Sequence, residues 1–214
     1  MKTLIAVPCM EQVAAGFAHS LATLEKNGEC AVSLMVGSLV YDSRNKLAQA
    51  AIGYDADRVC WFDSDMIFTP DTLKRLNETM DKYNLDIVSG LYFRRTKPYT
   101  PVLFSKYEIT EDGDAEWTDC LEYPNEPFEV AGCGFGCVLM KTDVLREMAL
   151  EFGTWFSPFR NSGEDLSFCL RASELGKKIF ADPSIKLGHV GQIVVTEQFY
   201  SVTKGTKTDA SAEH

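Results

Sequence analysis

Val59-Cys60-Trp61-Phe62-Asp63-Ser64-Asp65-Met66-Ile67-Phe68 is the stretch whose reading decides the fold. Four apolar residues of β character run straight into two carboxylates one residue apart, and a second apolar run follows. Carboxylates at the end of a buried strand are costly to hold without compensation. A hard divalent cation is the usual compensation, and oxygen ligands suit magnesium or manganese. Strand ends in an α/β sheet are also where ligands bind. A polar turn before a helix can carry the same Asp-x-Asp, but here apolar walls on both sides favour a site.

Outward from this stretch, strands and helices alternate. Thr3–Val7 reads as a strand stopped by Pro8. Glu11–Asn27 has Val13, Phe17, Leu21 and Leu24 at helical spacing, with Gly28 as its C-terminal glycine. Cys30–Val36 is a second strand. Ser43 is placed to cap a helix running to Ala51, with Gly53 ending it. Arg58–Phe62 is the third strand. Thr69-Pro70-Asp71 opens a helix carrying Leu73, Leu76, Met80 and Tyr83, and Asp86–Ser89 is a fourth strand. This alternation implies βαβ units and a mainly parallel sheet. Beyond Gly90, Pro98–Glu108 and Glu116–Glu122 read as antiparallel strands about Asp112-Gly113. Glu129–Met140 is Gly-rich and ends in a strand, Thr142 caps a helix to Glu151, and Asp165–Leu175 forms a helix closed by Gly176. Lys178–Ala181 and Ile185–Val190 read as two short strands. One domain over 1–202 is expected, with a nucleotide-binding half at 1–90, an acceptor-binding half at 91–202 and a flexible tail at 203–214.

The chain has 214 residues, 45% hydrophobic and 24% charged, enough for one sizeable core. A net charge of −10 disfavours a nucleic-acid module, which needs a basic face. Seven cysteines, an odd number without Cys-x-x-Cys, point to a reduced, cytoplasmic compartment. Cys133 and Cys137 read as small core residues. No stretch has the length of a membrane span, and the N-terminus lacks a signal-peptide pattern.

Several segments, in order, resemble the GT-A-fold, nucleotide-sugar-dependent glycosyltransferases. Asp63-Ser64-Asp65 resembles that family's Asp-x-Asp motif. Ala131-Gly132-Cys133-Gly134-Phe135-Gly136 resembles the glycine-rich loop lining its donor and acceptor pocket. Gly163-Glu164-Asp165 resembles its x-Glu-Asp motif, and Lys186-Leu187-Gly188-His189-Val190-Gly191 its C-terminal histidine motif. Ser43-Arg44-Asn45 resembles an early donor-contact segment. The resemblance implies an α/β GT-A fold: a Rossmann-like, mainly parallel sheet flanked by helices, with a mixed antiparallel C-terminal part. It departs from the family where the second strand closes. Leu34-Met35-Val36-Gly37 has no Asp there to hold the base, and Asp42 comes only later.

The resemblance implies a metal-dependent transfer of a sugar from a UDP-sugar or similar donor to a hydroxyl, with inversion. Manganese or magnesium would be held by Asp65, Asp63 and His189, with Asp63 contacting ribose or reaching the ion through water. Pro8, Arg44, Asn45, Asp63, Ser64, Gly132 and Gly134 would contact the donor, and Gly136 would join them in letting backbone approach a sugar. Arg44 can meet phosphate or base with its fork of donors; placed just after the second strand at a helix start, it is expected at the donor pocket, and its removal should raise the donor KM with little loss of stability. Asp165 would be the catalytic base and Glu164 would orient the acceptor, although acidic residues also suit any helix start. Trp155, Phe156, Phe159 and Arg160 read as either an acceptor platform or a packed loop. A sugar nucleotidyltransferase is the rival enzyme, but Pro8-Cys9-Met10-Glu11 lacks the basic, Gly-rich phosphate loop it wants. A non-catalytic carbohydrate-binding protein of the same fold is the other alternative. The acceptor stays open among glycan, small molecule, protein and nucleobase.

Overall fold

A computed structural model describes residues 1–191. The expected tail at 203–214 and the last residues of the expected domain lie outside the described residues. The N-terminal elements are β1 (Lys2–Cys9), α1 (Ala15–Thr23), β2 (Glu29–Val36), α2 (Val40–Gly53), β3 (Arg58–Phe62), β4 (Met66–Ile67), α3 (Thr72–Tyr83) and β5 (Ile87–Leu91). Then come β6 (Leu103–Ile109), β7 (Ala115–Asp119), β8 (Phe128–Val130), β9 (Gly132–Cys133), β10 (Cys137–Lys141), α4 (Thr142–Phe152), α5 (Glu164–Glu174), β11 (Ile179–Lys186) and β12 (Gly188–His189).

A seven-stranded sheet in the order β2-β1-β3-β10-β5-β11-β8 forms the centre. β1 pairs parallel with β2 and β3, and β5 with β11. β10 enters antiparallel between β3 and β5, so the second half of the chain is woven into the first. Its neighbours explain the continuous apolar runs, because a strand covered on both faces has no solvent side. Val59, Trp61, Val138 and Met140 face one core with Leu47 and Ala51 of α2, Leu145 of α4 and Phe168 of α5. Cys60, Phe62, Cys137 and Leu139 face the other, with Phe17 of α1 and Leu73, Leu76 and Met80 of α3. Alternation at period two thus sends one strand's side chains into both cores. All seven cysteines are unpaired, and Cys133 and Cys137 are buried. Among the described residues no helix is long and apolar enough to cross a membrane.

Local structure differs from the sequence reading at both ends of the chain. The first helix is Ala15–Thr23 and not Glu11–Asn27. The Ala14 amide donates to the Ser64 carbonyl and the Glu25 amide to the Pro70 carbonyl, at 2.9 and 2.8 Å, pulling both flanks out of the helix. Gly28 therefore caps no helix. It turns at φ +81° into β2, where an added Cβ would lie 2.7 Å from the Met1 carbonyl. Ser43 is buried inside α2, which starts at Val40. The first expected C-terminal strand and the start of the second join as β11, while Gly188–His189 turns away as β12. Pro183, which has no amide to donate, shifts the register between Asp182 and Lys186 without ending the strand.

Candidate active site

The Asp63-Ser64-Asp65 turn leaves the C-terminal end of β3 and is fixed by its backbone. The Asp63 amide donates to Gly136 (3.2 Å), the Ser64 carbonyl accepts from Ala14, and the Asp65 carbonyl accepts from Val190 (2.9 Å). The last bond belongs to the small β12–β4 ladder, in which His189 pairs with Met66. A two-residue ladder between distant segments, pairing His189 with Met66 and Gly188 with Ile67, thus sets the histidine beside the acidic turn.

Arg44, on the inward face of α2, is 2% exposed. Its Nη2 donates to Asp63 Oδ1 at 2.8 Å, and its Nε lies 3.5 Å from Glu164 Oε1. Burial pulls the guanidinium pKa down, but Asp63, Glu164 and Asp165 more than offset this and hold it above its usual value. Among the described residues its Nη1 has no hydrogen-bond partner. Arg44 therefore ties the acidic turn after β3 to the start of α5.

Asp65 faces a different group. Its Oδ2 accepts from Arg95 Nη1 at 2.6 Å and lies 3.5 Å from His189 Nε2. Burial pushes the Asp65 pKa up, but His189 and Arg95 outweigh it and lower the net value. Hydrogen bonding to Asp65 raises that of His189. His189 Nδ1 sits 2.9 Å from the Phe93 carbonyl, which can only accept, so this nitrogen carries a proton. Nε2 faces the Asp65 carboxylate and donates to it, so an ion arriving there would replace the Nε2 proton. With the proton kept on Nδ1 by the carbonyl behind it, the ring would present Nε2 to that ion.

The residues present fit a divalent ion in a particular way. Among the described residues no three His, Cys, Asp or Glu side chains gather into a metal-ready cluster. Asp63, expected beside Asp65 and His189 as a ligand, is turned to Arg44 because a buried guanidinium needs a counter-charge. Asp65 and His189 remain as one carboxylate and one imidazole. Such a pair suits an ion that takes its other ligands from substrate phosphate and water, as magnesium and manganese do.

Asp165 stands in the first turn of α5, with Gly163 as the helix N-cap residue. Its Oδ1 accepts from the Leu166 amide at 2.8 Å. Burial, then the charge of Glu164, raises its pKa to about 6, against the pull of Arg44. A carboxyl tuned there is ionised at neutral pH yet basic enough to take a proton.

These groups line one cavity of about 770 Å³, a size suited to a small-molecule substrate. Pro8, Cys9, Met10, Gly37, Ser38 and Val40 make an uncharged end. Arg44, Asp63, Ser64, Asp65, Arg95 and His189 make a charged middle, and Glu164 and Asp165 sit with Tyr92, Val102 and Phe104 beyond.

Asn45, Gly132, Gly134 and Gly136 are not on its wall. Asn45 Oδ1 accepts from the Phe156 amide (2.8 Å), and its Nδ2 donates to Ser157 Oγ (3.3 Å), so it clamps the loop before α5. The glycines make room for rings. A Cβ on Gly134 would come within 2.2 Å of Tyr92 Oη, and one on Gly132 within 2.6 Å of Trp117. The Gly136 amide donates to Tyr92 Oη (3.0 Å). Phe156 is no platform either: it is fully buried against Trp61, Phe135 and Phe168. Trp155 donates its indole N–H to the Leu145 carbonyl, and Phe159 lies under Arg160 and Arg171. The packed-loop alternative describes this segment.

Tyr92, Arg94 and Arg95 were absent from the expected set. Tyr92 is buried, with the His189 ring edge-on to it at 5.6 Å. The available signal was Tyr92-Phe93-Arg94-Arg95, a basic pair directly after a buried strand, in the same position that Asp63 and Asp65 hold after β3.

No family model matches the chain. Among solved structures it is similar to A197 from STIV, at 20% identity and TM-score 0.66 over 90% of this chain and 87% of that one. It is also similar to GalNAc-T7, crystallised with UDP, GalNAc and Mn2+, at 10% identity and TM-score 0.63 over 95% of this chain and 48% of that one. S. aureus TarS 1–349 aligns at 15% identity and TM-score 0.57, over 89% and 60%. The fold of the chain is therefore of the GT-A type.

Proposed function

We propose that this GT-A-fold chain is a metal-dependent glycosyltransferase that moves a sugar from a nucleotide diphosphate sugar, a UDP-sugar by preference, to a hydroxyl with inversion. The observation that carries the reading is one cavity holding three things together. They are a carboxylate–imidazole pair at Asp65 and His189, a guanidinium at Arg44, and a carboxyl at Asp165 with a pKa of about 6. The solved complex of GalNAc-T7 with UDP and Mn2+, similar in fold, supports the choice of donor and ion.

In this reading the base and ribose lie at the uncharged end beside Pro8, Met10 and Ser38, and the diphosphate lies in the charged middle. Asp65 and His189 hold a manganese or magnesium ion, which supplies positive charge to the leaving diphosphate. Asp63, kept in place by Arg44, contacts the ribose. The acceptor enters at the α5 side. As its oxygen attacks the anomeric carbon, its proton passes to the Asp165 carboxylate, and the bond from that carbon to the diphosphate breaks. Glu164 orients the acceptor. In this reading residues 1–90 supply most of the donor end, and the described part of the second half, 91–191, supplies the acceptor end and His189. Seven unpaired cysteines suit a reducing compartment such as the cytoplasm.

Incubation with a panel of nucleotide sugars and manganese tests the reading. Release of the nucleoside diphosphate, accelerated by hydroxyl acceptors, is the expected result. Formation of a nucleoside triphosphate from pyrophosphate would show a nucleotidyltransferase instead, and binding without any release a carbohydrate-binding protein.

A further inference from the structure

We propose that Arg95 and the divalent ion compete for the same oxygen of Asp65, and that Arg95, once displaced, grips the donor's diphosphate. The inference deepens the metal-dependent reading above and rests on it. Asp65 Oδ2 is the oxygen approached both by Arg95 Nη1 at 2.6 Å and by His189 Nε2 at 3.5 Å. An ion held by Asp65 and His189 would use the same face of that carboxylate. Two positive charges in contact repel, so the guanidinium and the ion weaken each other's hold on this oxygen.

Arg95 is built to leave. Its side chain is 55% exposed, against 25% for Asp65, and exposed ion pairs are weak enough to exchange. The root of the side chain stays fixed. The Phe93 carbonyl, two residues earlier, holds His189, and the Arg94 amide donates to the Thr100 carbonyl at 2.9 Å. Gly191 leaves room for the stem, since a Cβ there would lie 3.1 Å from Arg95 Cβ. A guanidinium swinging from that root remains at the charged middle of the cavity, and its planar fork matches two phosphate oxygens. Arg94 is engaged elsewhere: its Nη2 donates to Asp119 Oδ1 at 2.8 Å and its guanidinium lies over Phe104.

Competition predicts effects of opposite sign. Arg95→Gln should bind Mn2+ alone roughly 3- to 10-fold more tightly, as read by the electron paramagnetic resonance of free Mn2+. The same variant should bind UDP about 10-fold more weakly at saturating Mn2+, as read by calorimetry, because a charge-assisted fork has been lost. Arg95→Lys should fall between wild type and Arg95→Gln in both. A residue that merely supported the loop would weaken both affinities. Unchanged or weaker Mn2+ binding in Arg95→Gln would overturn the proposal, while Mn2+-dependent UDP binding by the wild type would leave the functional reading standing. Equal UDP binding by the wild type with and without Mn2+ would defeat both.

Discussion

Replacing Asp165 by Asn is expected to leave donor binding intact and to reduce transfer by on the order of 100- to 10,000-fold, the worth of a positioned general base. Asn keeps the size of the side chain and can still accept from the Leu166 amide, so the start of α5 should persist. The pH profile of kcat adds a second test. With the Asp165 pKa at about 6, wild-type activity should fall as pH drops through that value, because the protonated carboxyl cannot accept the acceptor's proton. The residual activity of Asp165→Asn should lack this limb. Stability should move the opposite way. The folded pKa lies above the unfolded one, so ionising Asp165 disfavours the folded state at high pH. Asp165→Asn should therefore melt above the wild type at pH 8, and the difference should shrink as pH falls below about 6 and vanish below about pH 3, where both states are protonated. Near-normal turnover in the variant, or a retained anomeric configuration in the product, would remove Asp165 from the role of base in an inverting transfer.

Arg44→Ala should be costly to the fold itself. The sequence alone suggested a donor-contacting arginine that could be removed with little loss of stability. The structure buries it between Asp63 and Glu164, beneath the field of Asp165 and over the rings of Phe135 and Phe156. Removing one partner of a buried ion pair leaves the other charges uncompensated, at about 3–5 kcal/mol. These carboxylates are partly solvated, so about 3 kcal/mol is expected here. In a chain of this size that lowers Tm by roughly 6–12 °C. The loss of Arg44 also removes the charge that pulls the Asp165 pKa down, so the acid limb of the kcat profile should move to higher pH. Arg44→Lys keeps a charge but not the fork, and should recover part of the stability. An unchanged Tm in Arg44→Ala would mean that the three carboxylates do not depend on it.

The residues brought to the cavity from distant segments were legible where polar groups interrupt apolar runs. Asp63, Asp65 and His189 flank strands that must be buried, and Asp165 opens a helix with an apolar face. Such positions are costly unless something uses them, and that cost is visible in a bare sequence. The glycines were not legible in the same way. A missing Cβ reads equally as space for a sugar or space for a ring, and only the packing of Tyr92 and Trp117 decides between them. Asn45 at a helix start looked like a donor contact because its partner, the 155–157 backbone, lies about 110 residues away. The first helix was overextended because its flanks answer to Ser64 and Pro70, bonds that periodicity cannot register. Arg95 is not legible in the sequence, because a basic pair after a strand usually belongs to the solvated surface. Its meaning depends on the position of Asp65.

The proposed transfer requires that a divalent ion at Asp65 and His189 let this cavity hold a nucleoside diphosphate. Calorimetric titration of UDP into the full chain, with Mn2+ and with EDTA, tests it most directly. Measurable affinity with Mn2+ that is lost with EDTA, and lost again in Asp65→Asn at saturating Mn2+, is the predicted result. Equal UDP affinity in Mn2+ and in EDTA would contradict it.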